Sequence, residues 1–199
     1  MSDLPIKFCT HQELETIAEI FLDAFHKPKD SLPVEIDVIV EADLDIGIYP
    51  YSELQERHGL QGYLALSLKK IYVDRNIMDS DLFERRYRFT IAEEVGHYML
   101  HKNIFADVKT PEDYIDAYGR ISAKEYAKMD MDAKHLGGAI LMPTELFRKE
   151  SLAYATNTPG LTSDELFKYL SGVFNVSPLA VYHRFRVLGL SEQIEFDEQ

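Results

Sequence analysis

The sequence predicts an α+β fold, with a small β-sheet in the first half of the chain and helices in the second. Short runs of β-branched and aromatic residues, separated by glycine and proline, occupy residues 46–73. From Asp81 onward the apolar residues recur with helical spacing. The chain has 199 residues and is 46% hydrophobic, which is enough for one sizeable core. We expect a single domain over residues 1–199, with residues 160–199 as a helical hairpin packed on it.

Charge and cysteine content limit the classes of function. The 34 acidic residues outnumber the 21 basic ones, and the resulting formal charge of −13 disfavours nucleic-acid binding by the chain as a whole. Residues 1–10 lack a basic-then-apolar leader, and no run of about 18 apolar residues occurs, so neither a secretory signal nor a membrane span is expected. Cys9 is the single cysteine and cannot form an internal disulfide, which favours a cytoplasmic location.

The first half of the chain begins with a helix. Thr10–Glu13 has the Ser/Thr-x-x-Glu pattern of a capping box and predicts a helix over about residues 12–26. Residues 27–33 are typical of a linker because they contain two prolines and polar residues. Residues 34–40 alternate with a period of two, which predicts a half-buried strand. A sheet of about three or four strands is completed by the short runs 46–49, 63–66 and 71–73.

Two long helices follow. The first is predicted over about residues 82–102 and the second over about residues 123–141. Pro143 follows the second helix and would disrupt its continuation. The intervening residues 103–119 are polar and form a connection with a short helix after Pro111. The fold is therefore expected to place a small mixed sheet on a bundle of helices.

The C-terminal segment predicts a pair of helices joined by a short turn. A capping box at residues 162–165 opens one helix, and Ser177 followed by proline opens the other. The pair resembles a DNA-reading helix-turn-helix, with Arg184 and Arg186 on the second helix. These two arginines face different directions on an acidic chain, so we expect the hairpin to pack on the fold rather than to read DNA.

The segment Phe89–His101 contains the residues that suggest chemistry. Glu93 and His97 are four positions apart and share one face of the predicted helix, so they could hold one metal ion between them. Glu94, which follows the first ligand, could then act as general base on the water bound to that ion. A buried carboxylate paired with histidine or arginine, without a metal, explains the same three residues. The spacing alone leaves both interpretations open.

His101 continues the stripe of Glu93 and His97 but lies two turns beyond Glu93. Eight residues of helix span about 12 Å, so one ion cannot easily bind both Glu93 and His101. A metal site formed by His97 and His101 is geometrically possible. We expect instead that His101 packs or forms a hydrogen bond at the end of the helix.

Asp132 on the second long helix is the candidate for a third metal ligand. It shares a face with the apolar Met129 and Leu136, so it points to the buried side of that helix. Asp130 has Lys134 four positions later and is explained as half of a solvated ion pair. A buried acid paired with arginine is the alternative interpretation of Asp132.

The adjacent glycines Gly137 and Gly138 indicate close packing of the two long helices. Each costs about 1 kcal/mol relative to alanine inside a helix. Such a cost is expected where two backbones must come into contact. We therefore expect the second helix to lie close to the first and to bring Asp132 towards Glu93 and His97.

These motifs, in this order, resemble the ImmA/IrrE family of metallopeptidase-like proteins. The family pattern Arg-Phe-Thr-x-Ala-His-Glu-x-Gly-His is matched with two departures: Glu93 replaces the first histidine, and Asp132 stands where the family usually has glutamate. The resemblance also allows part of residues 34–40 to be helical. The matching segments are Leu32–Val34, Arg88–His97 with His101 after it, Asp132-Ala133 leading to Ile140–Pro143, and Val176–Pro178 leading to Leu188–Leu190.

The resemblance implies a zincin-like domain with a bound zinc ion, Glu94 as general base, His97 as a ligand, and an acidic third ligand, Asp132. Family members are often linked to cleavage or control of repressor proteins in prophages, mobile elements and stress responses. The carboxylate of Glu93 hardens the ligand set, so a harder divalent ion, or none, could replace zinc. The expected function is metal-dependent peptidase activity on a transcriptional regulator. The alternative is a degenerate member that binds a regulator or peptide without cleaving it.

Overall fold

The structure is a computed structural model that describes residues 8–26, 29 and 31–197. Part of the N-terminal stretch where no leader is expected, and part of the predicted linker 27–33, lie outside the described residues. In the described part, none of the helices is long and apolar enough to cross a membrane. The strands are β1 Gly47–Tyr51, β2 Gly62–Ala65 and β3 Lys70–Asp74. The α-helices are α1 His11–Phe25, α2 Ile36–Val38, α3 Leu54–His58, α4 Arg75–Met78, α5 Glu84–His101, α6 Pro111–Gly119, α7 Ala123–Leu141, α8 Thr144–Asn157, α9 Ser163–Val173 and α10 Pro178–Val187.

The sheet is mixed and has the order β1-β3-β2. β1 runs parallel to β3, with Ile48 opposite Ile71, and β2 runs antiparallel to β3, with Tyr63 opposite Tyr72. β2 and β3 pack against α5, and α6 also contacts β2. The α+β class and the small mixed sheet predicted from the sequence are confirmed, and the sheet has three strands in the described residues.

α5 and α7 form the centre of the helical part, and glycines hold them in backbone contact. A Cβ atom added to Gly96 would lie 2.5 Å from the carbonyl oxygen of Ala133. A Cβ atom on Gly137 would lie 2.8 Å from the carbonyl carbon and oxygen of Ala92. The predicted close approach is therefore confirmed at Gly137. At Gly138 the nearest atom would be the Met142 Cε at 3.9 Å, so this glycine is not required for the contact.

The strand predicted over residues 34–40 is wrong. The structure has the short helix α2 there, followed by a π-helix over Ile39–Asp43. Ile36, Ile39 and Val40 are buried, and their spacing of three and four residues is that of a helix. Val38, which the alternating pattern places on the inner face of a strand, is 55% exposed.

The sequence also did not predict α8, Thr144–Asn157. Pro143 ends α7 as expected, but it also occupies the N-cap position of α8. The buried residues of α8 are Phe147 and Ser151, four positions apart. Because one of them is a serine, the apolar periodicity of this helix is weak in the sequence.

A partly buried ion pair links the C-terminal hairpin to the rest of the molecule. Arg184 on α10 pairs with Glu15 on α1, with 2.8 Å between Nη2 and Oε2, and its Nε donates to the Met142 carbonyl at 3.0 Å. Glu15 also contacts His135 Nε2 at 2.9 Å and accepts a hydrogen bond from the Thr144 hydroxyl at 2.7 Å. Burial raises the pKa of Glu15, but the hydrogen bonds from His135 and Arg184 outweigh it, so this pKa lies far below its ordinary value.

The two arginines of the helix-turn-helix pattern have different surroundings. Arg184 is 4% exposed and is held by the Glu15 cluster, whereas Arg186 donates to the Tyr182 hydroxyl at 3.0 Å on the surface. Arg184 therefore acts as an internal link between α10, α1 and the end of α7.

Candidate functional site

A cavity of about 450 Å³ lies where α5, α6 and α7 meet the backbone that leads into β2. We call it the Glu93–Glu94 cavity. Its wall contains two neighbouring acids of α5, two tyrosines of α6, and Asp130 and Lys134 of α7. The residues that line it are Gly59–Gly62, Thr90, Glu93, Glu94, Tyr114, Ile115, Tyr118, Tyr126, Asp130 and Lys134.

Lys134 places its ammonium group between two carboxylates of this cavity. Its Nζ lies 3.7 Å from Glu93 Oε1 and 2.7 Å from Asp130 Oδ2. Burial raises the pKa of Glu93 to about 7, although the positive charge of Lys134 opposes that rise. The predicted pair of Asp130 and Lys134 is present, but it forms part of the cavity wall and is not merely a solvated pair on the surface.

The spacing of Asp130 and Lys134 predicts their ion pair but does not by itself show that both residues line the cavity. Asp130, Ala133 and Gly137 recur at three and four residues along α7, which is the spacing of one helix face. Ala133 and Gly137 are the residues whose backbones touch α5. The glycine that indicates the contact with α5 therefore also indicates that Asp130, one turn before Ala133, lies on the same face of α7.

Glu94 is buried at the base of the cavity with a residue exposure of 3%. Burial raises its pKa well above the ordinary value, and the negative charge of Glu93 raises it further. The backbone N–H of Leu64 and the hydroxyl of Tyr114 favour the charged form and offset part of this rise. Among the residues that the structure describes, no hydrogen-bond donor contacts Glu94 Oε2.

His97 lies behind the cavity wall and is fully buried. Its Nε2 is 3.1 Å from the Tyr118 hydroxyl, and its Nδ1 is 3.1 Å from Nδ1 of His101. The Tyr118 hydroxyl lies in turn 3.1 Å from that of Tyr114. Burial lowers the pKa of His97 well below its ordinary value, which favours a neutral ring with one donor and one acceptor nitrogen. As predicted, His101 forms a hydrogen bond at the end of the helix.

Asp132 is not in this cavity. It lines a separate cavity of about 640 Å³, where it forms an ion pair with Lys128. The backbone N–H of Cys9 also donates to Asp132 Oδ2 at 3.4 Å. The structure thus brings Glu93 and Glu94 together, places His97 beside them through Tyr118, and leaves Asp132 on another face of α7.

The residues present do not fit a metal ion in this arrangement. Glu93 faces the ammonium group of Lys134. Asp132 faces that of Lys128, and both ring nitrogens of His97 have hydrogen-bond partners. Within the described part of the chain, no three side chains of histidine, cysteine, aspartate or glutamate are grouped so that they could hold an ion.

Comparison with known proteins gives a family and a fold. The model of the M78 peptidase family, described as the IrrE N-terminal-like domain, matches residues 77–186, which is more than half of the chain. None of the curated proteins matches the chain. The fold is similar to that of a Mycobacterium tuberculosis transcriptional regulator, with a TM-score of 0.58 and 14% sequence identity. The similarity covers 87% of this chain and 46% of that chain, so this chain spans less than half the length of the regulator.

Proposed function

The chain belongs to the M78 peptidase family of IrrE N-terminal-like domains, as the resemblance predicted, and on this premise we propose that it recognises a protein regulator without cutting it. The family is typically zinc-dependent, and its members cleave protein repressors. The partner is then a protein regulator, as in the family, and it is recognised at the Glu93–Glu94 cavity. This is the alternative in which a degenerate member binds a regulator without cleaving it.

The observation that carries this proposal is the position of the Lys134 ammonium group between Glu93 and Asp130. A divalent ion bound to Glu93 would lie within a few ångströms of this ammonium group. Two unit charges ~4 Å apart repel by about 4 kcal/mol at an effective dielectric constant of ~20, and a divalent ion doubles that energy. Lys134 therefore supplies the positive charge that the carboxylates need and opposes a metal ion in the same place.

The peptidase interpretation remains the second candidate, with Glu94 as the catalytic residue and Glu93, His97 and Asp132 as metal ligands. Family membership favours it, and so does the buried Oε2 of Glu94, for which the described residues offer no hydrogen-bond partner. It requires Asp132 to leave Lys128 and to reach the cavity on the other face of α7. It also requires His97 to release the Tyr118 hydroxyl.

We expect the protein to bind a DNA-binding repressor encoded beside it and to leave both chains intact. Mass spectrometry after incubation with zinc or manganese should show the two unchanged masses, because the proposed binding role involves no activated water. Specific fragments of the repressor that disappear in the Glu94→Gln variant would instead establish the peptidase interpretation.

The same complex tests whether the cavity is the binding site. Ile115 lines the cavity and is 43% exposed. Ile115→Glu should weaken the complex by about tenfold or more, because it places a charge in a contact that would be desolvated. Leu152→Glu is the matched control, since Leu152 on α8 is 39% exposed and does not line the cavity. Equal weakening by the two variants in a calorimetric titration would argue against the cavity.

A further inference from the structure

The cavity of about 640 Å³ that Asp132 lines has no part in the proposed function. We call it the Met131 cavity, and it lies between α7, α10 and the start of α1. Its wall is mainly apolar, and it includes three large apolar side chains that are exposed to solvent, Met131, Leu179 and Val187. A cavity of this size, with apolar walls and few polar groups, is typical of a site for a small molecule.

Gly138 lines the same cavity, and the packing of the two long helices does not account for it. A glycine inside a helix costs about 1 kcal/mol relative to alanine. A Cβ atom at this position would have one described atom within 4 Å outside its own helix turn, the Met142 Cε at 3.9 Å, and Met142 also lines the cavity. The missing side chain therefore leaves room beside the backbone of α7, as glycine does where a ligand approaches a backbone closely.

The charged groups of the wall favour an anionic ligand over a cationic one. In the described part of the chain, the wall contains Lys128, Lys134 and Arg184 but one carboxylate, Asp132, although acidic residues outnumber basic ones in the chain as a whole. Asp132 is closed to a cation, because its side chain is 4% exposed and pairs with Lys128. Lys134 and Arg184 are neutralised by carboxylates outside this wall, so the charge for an anion must come from other groups.

Three side chains of the cavity have N–H groups to offer an anion. The Lys128 ammonium group has three N–H donors and uses two of them, on the Asp132 carboxylate and on the Cys9 carbonyl. His11 and His183 line the cavity and are exposed. Both rings pack against neighbouring aromatic rings, but neither has a hydrogen bond or an ion pair within the described residues. An anionic group at the cavity mouth could therefore accept hydrogen bonds without displacing an existing partner.

From these observations we propose that the Met131 cavity binds an aliphatic carboxylic acid. Its carboxylate accepts hydrogen bonds from Lys128 and the two histidines, and its alkyl chain lies against Met131, Leu179 and the open backbone of Gly138. A sugar or nucleotide fits less well, because its polar groups would lie unpaired against the apolar wall. The inference goes beyond the proposed function, because it assigns a small molecule to a cavity other than the one that recognises the regulator.

The test is a calorimetric titration of decanoate and of decylamine into the full chain, below the concentrations at which they form micelles. The two ligands have the same alkyl chain and opposite charges. The net charge of −13 attracts the decylammonium ion to the protein as a whole, so a preference for decanoate must come from a local site. We expect one saturable decanoate site, with an affinity about tenfold or more above that of decylamine.

Variants of exposed residues locate the site. Met131→Glu should abolish decanoate binding, because it places a second carboxylate in the cavity wall. Leu82→Glu is the matched control, since Leu82 is exposed and does not line the cavity, and it should bind decanoate as the natural protein does. Replacing His11 and His183 together with alanine should reduce the preference for decanoate over decylamine by about threefold or more.

The absence of saturable decanoate binding, or an equal or higher affinity for decylamine, would overturn the proposal. Binding that persists in Met131→Glu would overturn it as well, because the acid would then lie elsewhere. If decanoate does not bind and Met131→Glu instead weakens the complex with the regulator, the cavity belongs to a protein partner. Cleavage of the regulator would refute the proposed function but would leave decanoate binding measurable, so the two failures are distinguishable.

Discussion

Replacing Gly137 with alanine should lower the free energy of unfolding by about 3 kcal/mol, at the upper end of the range for overpacked cores. The new Cβ would lie 2.8 Å from two backbone atoms of Ala92 and 3.0 Å from the backbone nitrogen of Glu93. Backbone atoms cannot rotate out of the way as side chains can. α5 and α7 would therefore have to separate along the contact that positions the cavity.

Gly138→Ala is the matched control for this prediction. Its new Cβ would meet only the flexible end of Met142, at 3.9 Å, so the main effect is the better helix propensity of alanine. We expect a gain of about 1 kcal/mol or less. Urea denaturation followed by circular dichroism measures both variants. Similar changes in stability at the two positions would contradict the backbone contact seen at Gly137.

Replacing Arg184 with methionine should destabilise the protein by about 3 kcal/mol, the lower end of the range for a broken buried pair, because it leaves the partly buried carboxylate of Glu15 without its cation. Arg184 also donates to the Met142 carbonyl and to the Thr144 hydroxyl, so α10 would lose its link to the end of α7. Arg186→Met on the same helix is the control, since Arg186 contacts Tyr182 on the surface, and its thermal midpoint should be unchanged. Equal effects of the two variants would contradict an internal role for Arg184.

The pH dependence of the protein's stability should depend on the same ion pair of Glu15 and Arg184. The pKa of Glu15 in the folded state lies below its ordinary value of 4.5, so its charged form is stabilised by folding. This contribution is fully present above the ordinary pKa and is lost as the pH falls below it. Thermal melts at decreasing pH should therefore show a smaller loss of stability for Glu15→Gln than for the natural protein. Parallel curves for the two proteins would contradict the shifted pKa.

The sequence predicts best those elements whose signals are local. The capping boxes at Thr10 and Thr162 start α1 and α9 as expected. In residues 34–40 the apolar side chains fit both a period of two and a helical spacing, and in so short a run only their burial, which the sequence does not show, decides between strand and helix. α8 was not predicted because a serine occupies one of its buried positions.

The candidate site could be predicted only in part, for a geometric reason. The sequence shows that Glu93 and Glu94 lie together on the long helix, and both line one cavity. It does not show which face of the second helix reaches them: the spacing favours Asp132, whereas Asp130 is the residue that lines the cavity. The choice depends on the rotation of α7 about its axis, which is set by the contacts of Gly137 and Gly96 with the facing backbones.

The most direct test of this account is a calorimetric titration of zinc and manganese into the natural protein and into Lys134→Ala. If the Lys134 ammonium group holds the place of a cation between Glu93 and Asp130, the natural protein should show no saturable binding. Lys134→Ala should then bind one ion, and a further Glu93→Gln change should remove that binding. Lys124→Ala, at an exposed lysine on the same helix, should behave as the natural protein does. Equally tight binding of one zinc ion by the natural protein and by Lys134→Ala would contradict the account.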